Sequence, residues 1–187
     1  IVVLCKIGKK EVAVKIRRID SQRKNLKKEA EFLTITNQIN VGPKLLGFSK
    51  NFLVIEYLDG EKIGKWINKL KEKPNVAQLK KIIKKTLTDC YKLDKIGLDH
   101  GELSNITKHV IVGKKITILD FESSSVDRRV SNVTSATQAF YIGSGISKIV
   151  NPLCKPSRKS KIISVLRKYK TDQTKENFLD LLKVLNL

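Results

Sequence analysis

The sequence predicts an α+β fold, and three observations carry that reading. The first 58 residues are short runs of β-formers broken by Gly and Lys turns. From residue 62 onward the apolar spacing shifts to a helical period. Between the two stretches, 59–61 is a short polar joint, and no repeat or low-complexity linker divides the chain, so 1–187 reads as a single domain.

Ile1-Val2-Val3-Leu4, a Gly8-Lys9-Lys10 turn and Val12-Ala13-Val14-Lys15-Ile16 predict two strands joined by a hairpin. Ser21 is a suitable cap for a helix running to about Asn40, with Leu26, Ala30, Leu33 and Asn37 along one stripe. Gly42-Pro43 stops that helix, and 44–48 and 52–57 read as a further pair of strands. Helices are expected around 63–72 and 76–93. The second shows Val76, Leu79, Ile82, Ile83, Leu87, Cys90 and Leu93 at helical spacing. A polar loop, 99–108, leads into a hairpin of 109–112 and 116–119 around a Gly113-Lys114-Lys115 turn. From about Asn132 the chain reads as three helical pieces, the last at 173–185.

Apolar residues at 41% and charged residues at 30% are ordinary for a globular chain, but the formal net charge of +20 is not. Lysines outnumber arginines 31 to 7, so the field comes mostly from flexible point charges. It attracts polyanions, which makes nucleotide phosphates, RNA or a ribonucleoprotein, and acidic protein surfaces the candidate partners. Cys5, Cys90 and Cys154 form no metal-ligand spacing and no even disulfide set, which predicts reduced thiols and a cytoplasmic location. No apolar run approaches the roughly 20 residues that span a bilayer.

Two carboxylates carry the chemistry. Asp99-His100-Gly101-Glu102-Leu103-Ser104 places one acid on a tight loop. Leu119-Asp120-Phe121-Glu122 places another 18 positions later, after the hairpin that brings the chain back. Phosphoryl transfer needs one acid to orient the attacking hydroxyl and one to hold the metal bridging the nucleotide phosphates.

These segments resemble protein kinase motifs. His100-Gly101-Glu102-Leu103-Ser104 is similar to the HGDLS catalytic loop of the atypical RIO-type kinases, and Leu119-Asp120-Phe121-Glu122 to the metal-binding DFG signature. Val12-Ala13-Val14-Lys15 looks like the VAIK strand, and 53–60 like a kinase hinge. The resemblance runs in kinase order over nearly the whole chain. It implies a bilobal fold: a small β-rich lobe (1–58, truncated at its start), a hinge joint (59–61) and a mainly helical lobe (62–187) without a full activation segment. The implied activity is that of a small atypical serine/threonine kinase dependent on ATP and Mg²⁺.

The implied catalytic set is Lys15, Glu29, His100 and Glu102. Nucleotide would lie against Lys15, Ile55, Glu56 and Leu58, and metal against Asp120 and Asn105. Glu29 is preferred to Glu31 as the partner of Lys15, because it borders the apolar stripe while Glu31 lies well round from it.

The pattern is departed from in four places. Glu102 stands where such kinases carry Asp, moving the carboxylate by about one C–C bond. The Asn expected five residues later is Thr107, leaving Asn105 as the better oxygen ligand and His109 as the worse. A glycine-rich phosphate loop is absent, and no APE-like element follows 123–129. These departures raise the alternative of a pseudokinase, or a nucleotide-binding scaffold on RNA or ribonucleoprotein. Small-molecule phosphotransferases of the aminoglycoside and choline type share a DFE-like motif. They carry a larger helical lobe than the 67 residues after Asp120 provide.

Overall fold

In the computed structural model, which describes residues 1–18, 26–143 and 145–187, the predicted hairpin turn forms with Gly8 at φ +60°. It joins β1 (Val2–Ile7) to β2 (Lys10–Ile16), antiparallel with Val2 opposite Lys15. The cap expected at Ser21 lies outside the described residues; the described helix α1 spans Lys27–Gln38. Then come β3 (Leu45–Phe48) and β4 (Phe52–Glu56), which complete a four-stranded antiparallel sheet in the order β1-β2-β4-β3.

The joint expected at 59–61 is itself a strand. β5 (Gly60–Lys62) pairs with β6 (Val110–Gly113), which in turn pairs with β7 (Ile116–Ile118), giving a second antiparallel sheet. Glycine makes the pairing possible. A Cβ on Gly60 would lie 2.6 Å from the Val112 carbonyl oxygen, and one on Gly113 would overlap the Asp59 carbonyl.

Helices form the rest: α2 (Ile63–Lys69), α3 (Val76–Lys95), a single turn α4 (Ile106–His109), α5 (Asn132–Tyr141), α6 (Ser147–Cys154), α7 (Lys159–Thr171) and α8 (Lys175–Val184). Asn75 caps α3 by accepting from the Gln78 N–H. The stripe predicted on α3 is buried from Leu79 to Leu93; Val76, in the first turn, is 37% exposed. Among the described residues, four helices run from residue 132 onward where three were expected. Lys155 takes a left-handed φ of +49° before Pro156, which ends α6 and separates it from α7. The fold is thus α+β, two small antiparallel sheets with helices packed around one continuous apolar core. No described helix is long and apolar enough to cross a membrane, and all three cysteines are free.

One buried polar network holds the helices in register. The Asp94 carboxylate on α3 accepts from the Asn132 N–H (3.0 Å), the Asn132 Nδ2 (2.8 Å), the Val133 N–H (3.3 Å) and the Tyr169 hydroxyl of α7 (2.9 Å). Asn132 also accepts from the His100 N–H at 2.8 Å and donates to the Leu98 carbonyl at 2.7 Å. The network therefore ends on the loop that carries Glu102.

Candidate active site

Strand alternation puts Ala13 and Lys15 on one face of β2, opposite Ile55 and Leu53 of β4. These four residues wall a largely apolar cleft of about 400 Å³, which also takes in Glu56, Leu58, Ile111 and Asp120. Lys15, Ile55, Glu56 and Leu58, expected at one nucleotide-sized crevice, therefore share this cleft. The Glu56 N–H is already donated to the Lys44 carbonyl at 2.9 Å, so among the expected hinge groups its backbone donor is engaged.

Lys15 stands among three carboxylates. Its Nζ lies 2.9 Å from both oxygens of Glu29, 3.1 Å from Asp120 Oδ1 and 2.7 Å from Glu122 Oε2. Glu29 is buried on the inner face of α1, whereas Glu31 is 56% exposed beside Lys27. Glu122 is the member the sequence reading passed over. It was part of the DFE tripeptide, but in the motif's reference form that position is glycine and carries no role.

Asp120 follows β7 in a left-handed conformation, φ +66° and ψ +71°, uncommon for a residue with a side chain. Its neighbour Phe121 is fully buried and packs against the edge of Gly42, where a Cβ would come within 2.7 Å of the ring. The aromatic ring anchors the segment while the carboxylate is turned outward to Lys15. Such strain, held by surrounding packing, is found disproportionately at functional sites.

Burial works against ionisation of Asp120. The Lys15 ammonium more than offsets it, with His109 and His100 adding to the effect, so the carboxyl titrates below the ordinary aspartate value of 3.8. With the folded value depressed, its stabilising contribution is present above the ordinary value and is lost as pH falls through the folded one. The difference in melting temperature between the wild type and Asp120→Asn is expected to hold from about pH 7 to about pH 5 and to collapse below about pH 4. Melting curves across that range check it.

The second acid, Glu102, lies on the loop where the buried network ends. Glu102 Oε2 lies 3.1 Å from His109 Nε2, and Glu102 Oε1 accepts a short hydrogen bond from the Ser123 hydroxyl. His109 closes α4 instead of opening the strand, and this turns its ring toward Glu102. One ligand atom each from Glu102, His109 and Asp120 lies within 4.8 Å of the others, and the same holds for Glu29, Asp120 and Glu122. Asp120 belongs to both groups. Asn105, the expected second metal ligand, takes a different position: its Oδ1 accepts from the Thr107 hydroxyl at 2.9 Å, and it lines a separate cavity with Asn68 and Ile149. His109, ranked below it on ligand chemistry, is the residue that meets Asp120.

His100, expected in the catalytic set, is fully buried. Its Nε2 pairs with the Leu119 carbonyl at 2.8 Å, its Nδ1 faces the Glu102 N–H at 3.4 Å, and its ring meets Phe121 edge-on at 5.1 Å. Burial lowers its pKa, favouring a neutral ring. It ties the Glu102 loop to the Asp120 segment.

Arg128 makes the same tie from outside. Its Nε donates to Asp99 at 3.1 Å and its Nη2 to the Ser123 carbonyl at 2.7 Å. Gly101, at φ +86°, passes beneath it; a Cβ there would lie 2.8 Å from the Ser123 carbonyl oxygen and overlap the guanidinium. Gly101→Ala is expected to cost about 1–3 kcal/mol of stability, combining left-handed strain with displacement of this clamp. A denaturant titration measures it.

No family model matches the sequence. Over 96 residues, 51% of this chain and 79% of the relative, it is 28% identical to an uncharacterized protein of Methanocaldococcus jannaschii.

Proposed function

We propose that this chain is an ATP- and Mg²⁺-dependent phosphotransferase with a bilobal protein kinase-like fold, acting as an atypical serine/threonine kinase. The observation that carries the reading is the Lys15–Glu29 ion pair at 2.9 Å beside Asp120, in the wall of a 400 Å³ apolar cleft. The cleft's size and apolar lining suit an adenine ring, and a fixed ammonium at one end suits its phosphates. Lys15 would hold the α- and β-phosphates, Glu29 fix Lys15, and Glu102 orient the acceptor hydroxyl.

The donor set fits a divalent cation. Asp120 and Glu102 offer the one or two carboxylates by which Mg²⁺ is usually held, and one ligand atom from each and from His109 lies within 4.8 Å of the others. Asp120 and Glu102 would hold such a cation, which would supply neutralisation of the phosphate charge. The three acids around Lys15 supply the negative charge that such a site requires.

Saturation with ATP and Mg²⁺ at 100 times the dissociation constant is expected to add about 2.7 kcal/mol of stability. That is roughly 5–10 °C in melting temperature for a chain of this size. Transfer of a radiolabelled γ-phosphate tests the activity itself. No shift and no transfer would overturn the reading.

One observation favours a second reading, a nucleotide-binding scaffold on RNA. A hollow of about 730 Å³, lined by Lys44, Lys81 and Lys114 together with the Lys85–Asp89 and Lys115–Glu56 ion pairs, opens beside α3 and the β6–β7 turn. RNA held there should dissociate steeply with salt, since each phosphate contact releases counterion. Salt-insensitive binding would contradict it.

A further inference from the structure

The hydroxyl that meets Glu102 belongs to the chain itself. Ser123 donates to Glu102 Oε1, the other oxygen of that carboxylate faces His109, and one Glu102 oxygen lies within 4.8 Å of an Asp120 carboxylate oxygen. The backbone of 123–125 is held by four hydrogen bonds. Arg128 Nη2 donates to its carbonyl at 2.7 Å, and the next residue, Ser124, donates its N–H to the Phe121 carbonyl at 3.1 Å. Ser125 pairs with Asp99 through two backbone hydrogen bonds of 2.9 Å. An alcohol is thus already in place at the acid that would orient an acceptor. Ser124 and Ser125 lack this relation: the Ser124 side chain is buried, and Ser125 Oγ accepts from the Asp127 N–H.

We propose that Ser123 is the chain's own phosphate acceptor, modified within the same molecule. The inference rests on the phosphotransferase reading above. The Ser123 oxygen attacks the γ-phosphorus of ATP and forms the new P–O ester bond. The bond between that phosphorus and the β,γ-bridging oxygen breaks, ADP leaves with the bonding pair, and the hydroxyl proton passes to Glu102 and on to solvent. The dianionic phosphoserine is then repelled by Glu102 and attracted to Arg128, which already grips the same residue. The first turnover would therefore free Glu102 for other acceptors. Until then Ser123 occupies their place.

The test uses the full chain, treated with phosphatase, repurified and incubated with ATP and Mg²⁺, with phosphate located by mass spectrometry of the peptide spanning 116–128. Phosphate is expected on Ser123, and the fraction modified at a fixed time should not change over a tenfold dilution of protein. Ser123→Ala should lower phosphate in this peptide by about a hundredfold, the scale on which a misplaced acceptor loses rate. Ser123→Thr should restore part of it, while Ser124→Ala and Ser125→Ala retain it.

Melting shifts with ATP and Mg²⁺ are read in parallel. ATP hydrolysis or transfer to an added protein without phosphate on Ser123 overturns this inference and leaves the phosphotransferase reading standing. Phosphate on Ser123 that appears only in proportion to protein concentration overturns the intramolecular step. An absent nucleotide shift, with no transfer in any variant, overturns both readings.

Discussion

On the proposed phosphotransferase reading, Asp120→Asn is expected to reduce γ-phosphate transfer by about a thousandfold, the upper range for removing one preorganised electrostatic contact. The melting temperature should stay within a few degrees of wild type. Asp120 is the carboxylate common to both candidate cation groups, so its loss removes a candidate ligand from either. The fold has less to lose. Lys15 keeps Glu29 and Glu122 as partners, and Asp120 is 43% exposed, where an ion pair contributes about 0–1 kcal/mol.

Backbone and charge effects separate by choice of substitute. At φ +66° asparagine is tolerated best among residues with a side chain, glycine sits without strain, and alanine is disfavoured by about 1–2 kcal/mol. Transfer should therefore fall equally in the Asn, Gly and Ala variants, while only Ala lowers stability clearly. Steady-state kinetics and melting curves on the three variants decide the matter. An Asn variant with wild-type turnover would remove Asp120 from the chemistry.

What the sequence made legible follows from the range of the interactions involved. The inner face of α3 was readable because burial recurs at helical spacing over many residues. The preference for Glu29 over Glu31 rested on the same periodicity, and Glu29 is the one that faces Lys15. β5 was unreadable because three residues carry no alternation; Gly60 and Gly113 matter only through their contact across the sheet. After Asn132 three helical pieces are expected and four described helices form; the break at Lys155 shows only in its left-handed φ, since in sequence it looks like any helical lysine.

At the site, the motif supplied Lys15, Glu102 and Asp120 but pointed away from His109 and Glu122. A motif records residue types along the chain, whereas these two act through where α4 ends and how the turn after Asp120 folds. The only sequence signal for Glu122 was its carboxylate standing where the reference pattern has glycine.

Asp94→Ala is expected to lower stability by about 3–5 kcal/mol, the range for breaking a buried charged network by removing one partner. For a chain of this length the fall in melting temperature would be about 10 °C. Four donors converge on this carboxylate from α5 and α7, and the substitution strands the Val133 N–H and the Tyr169 hydroxyl inside the core. Burial raises the Asp94 pKa, outweighing those donors, so in the folded state the carboxyl is less acidic than the ordinary value.

Tyr169→Phe removes one donor and leaves the other three, so it should cost only about 1 kcal/mol. The damage from Asp94→Ala should also reach the chemistry. Asn132, released on one side, is the acceptor for the His100 N–H, and His100 in turn fixes Glu102. Asp94→Ala should therefore lower turnover even at temperatures where the chain stays folded, whereas Tyr169→Phe should not. Equal turnover in the two variants would mean that Asp94 supports the helices without setting the position of Glu102.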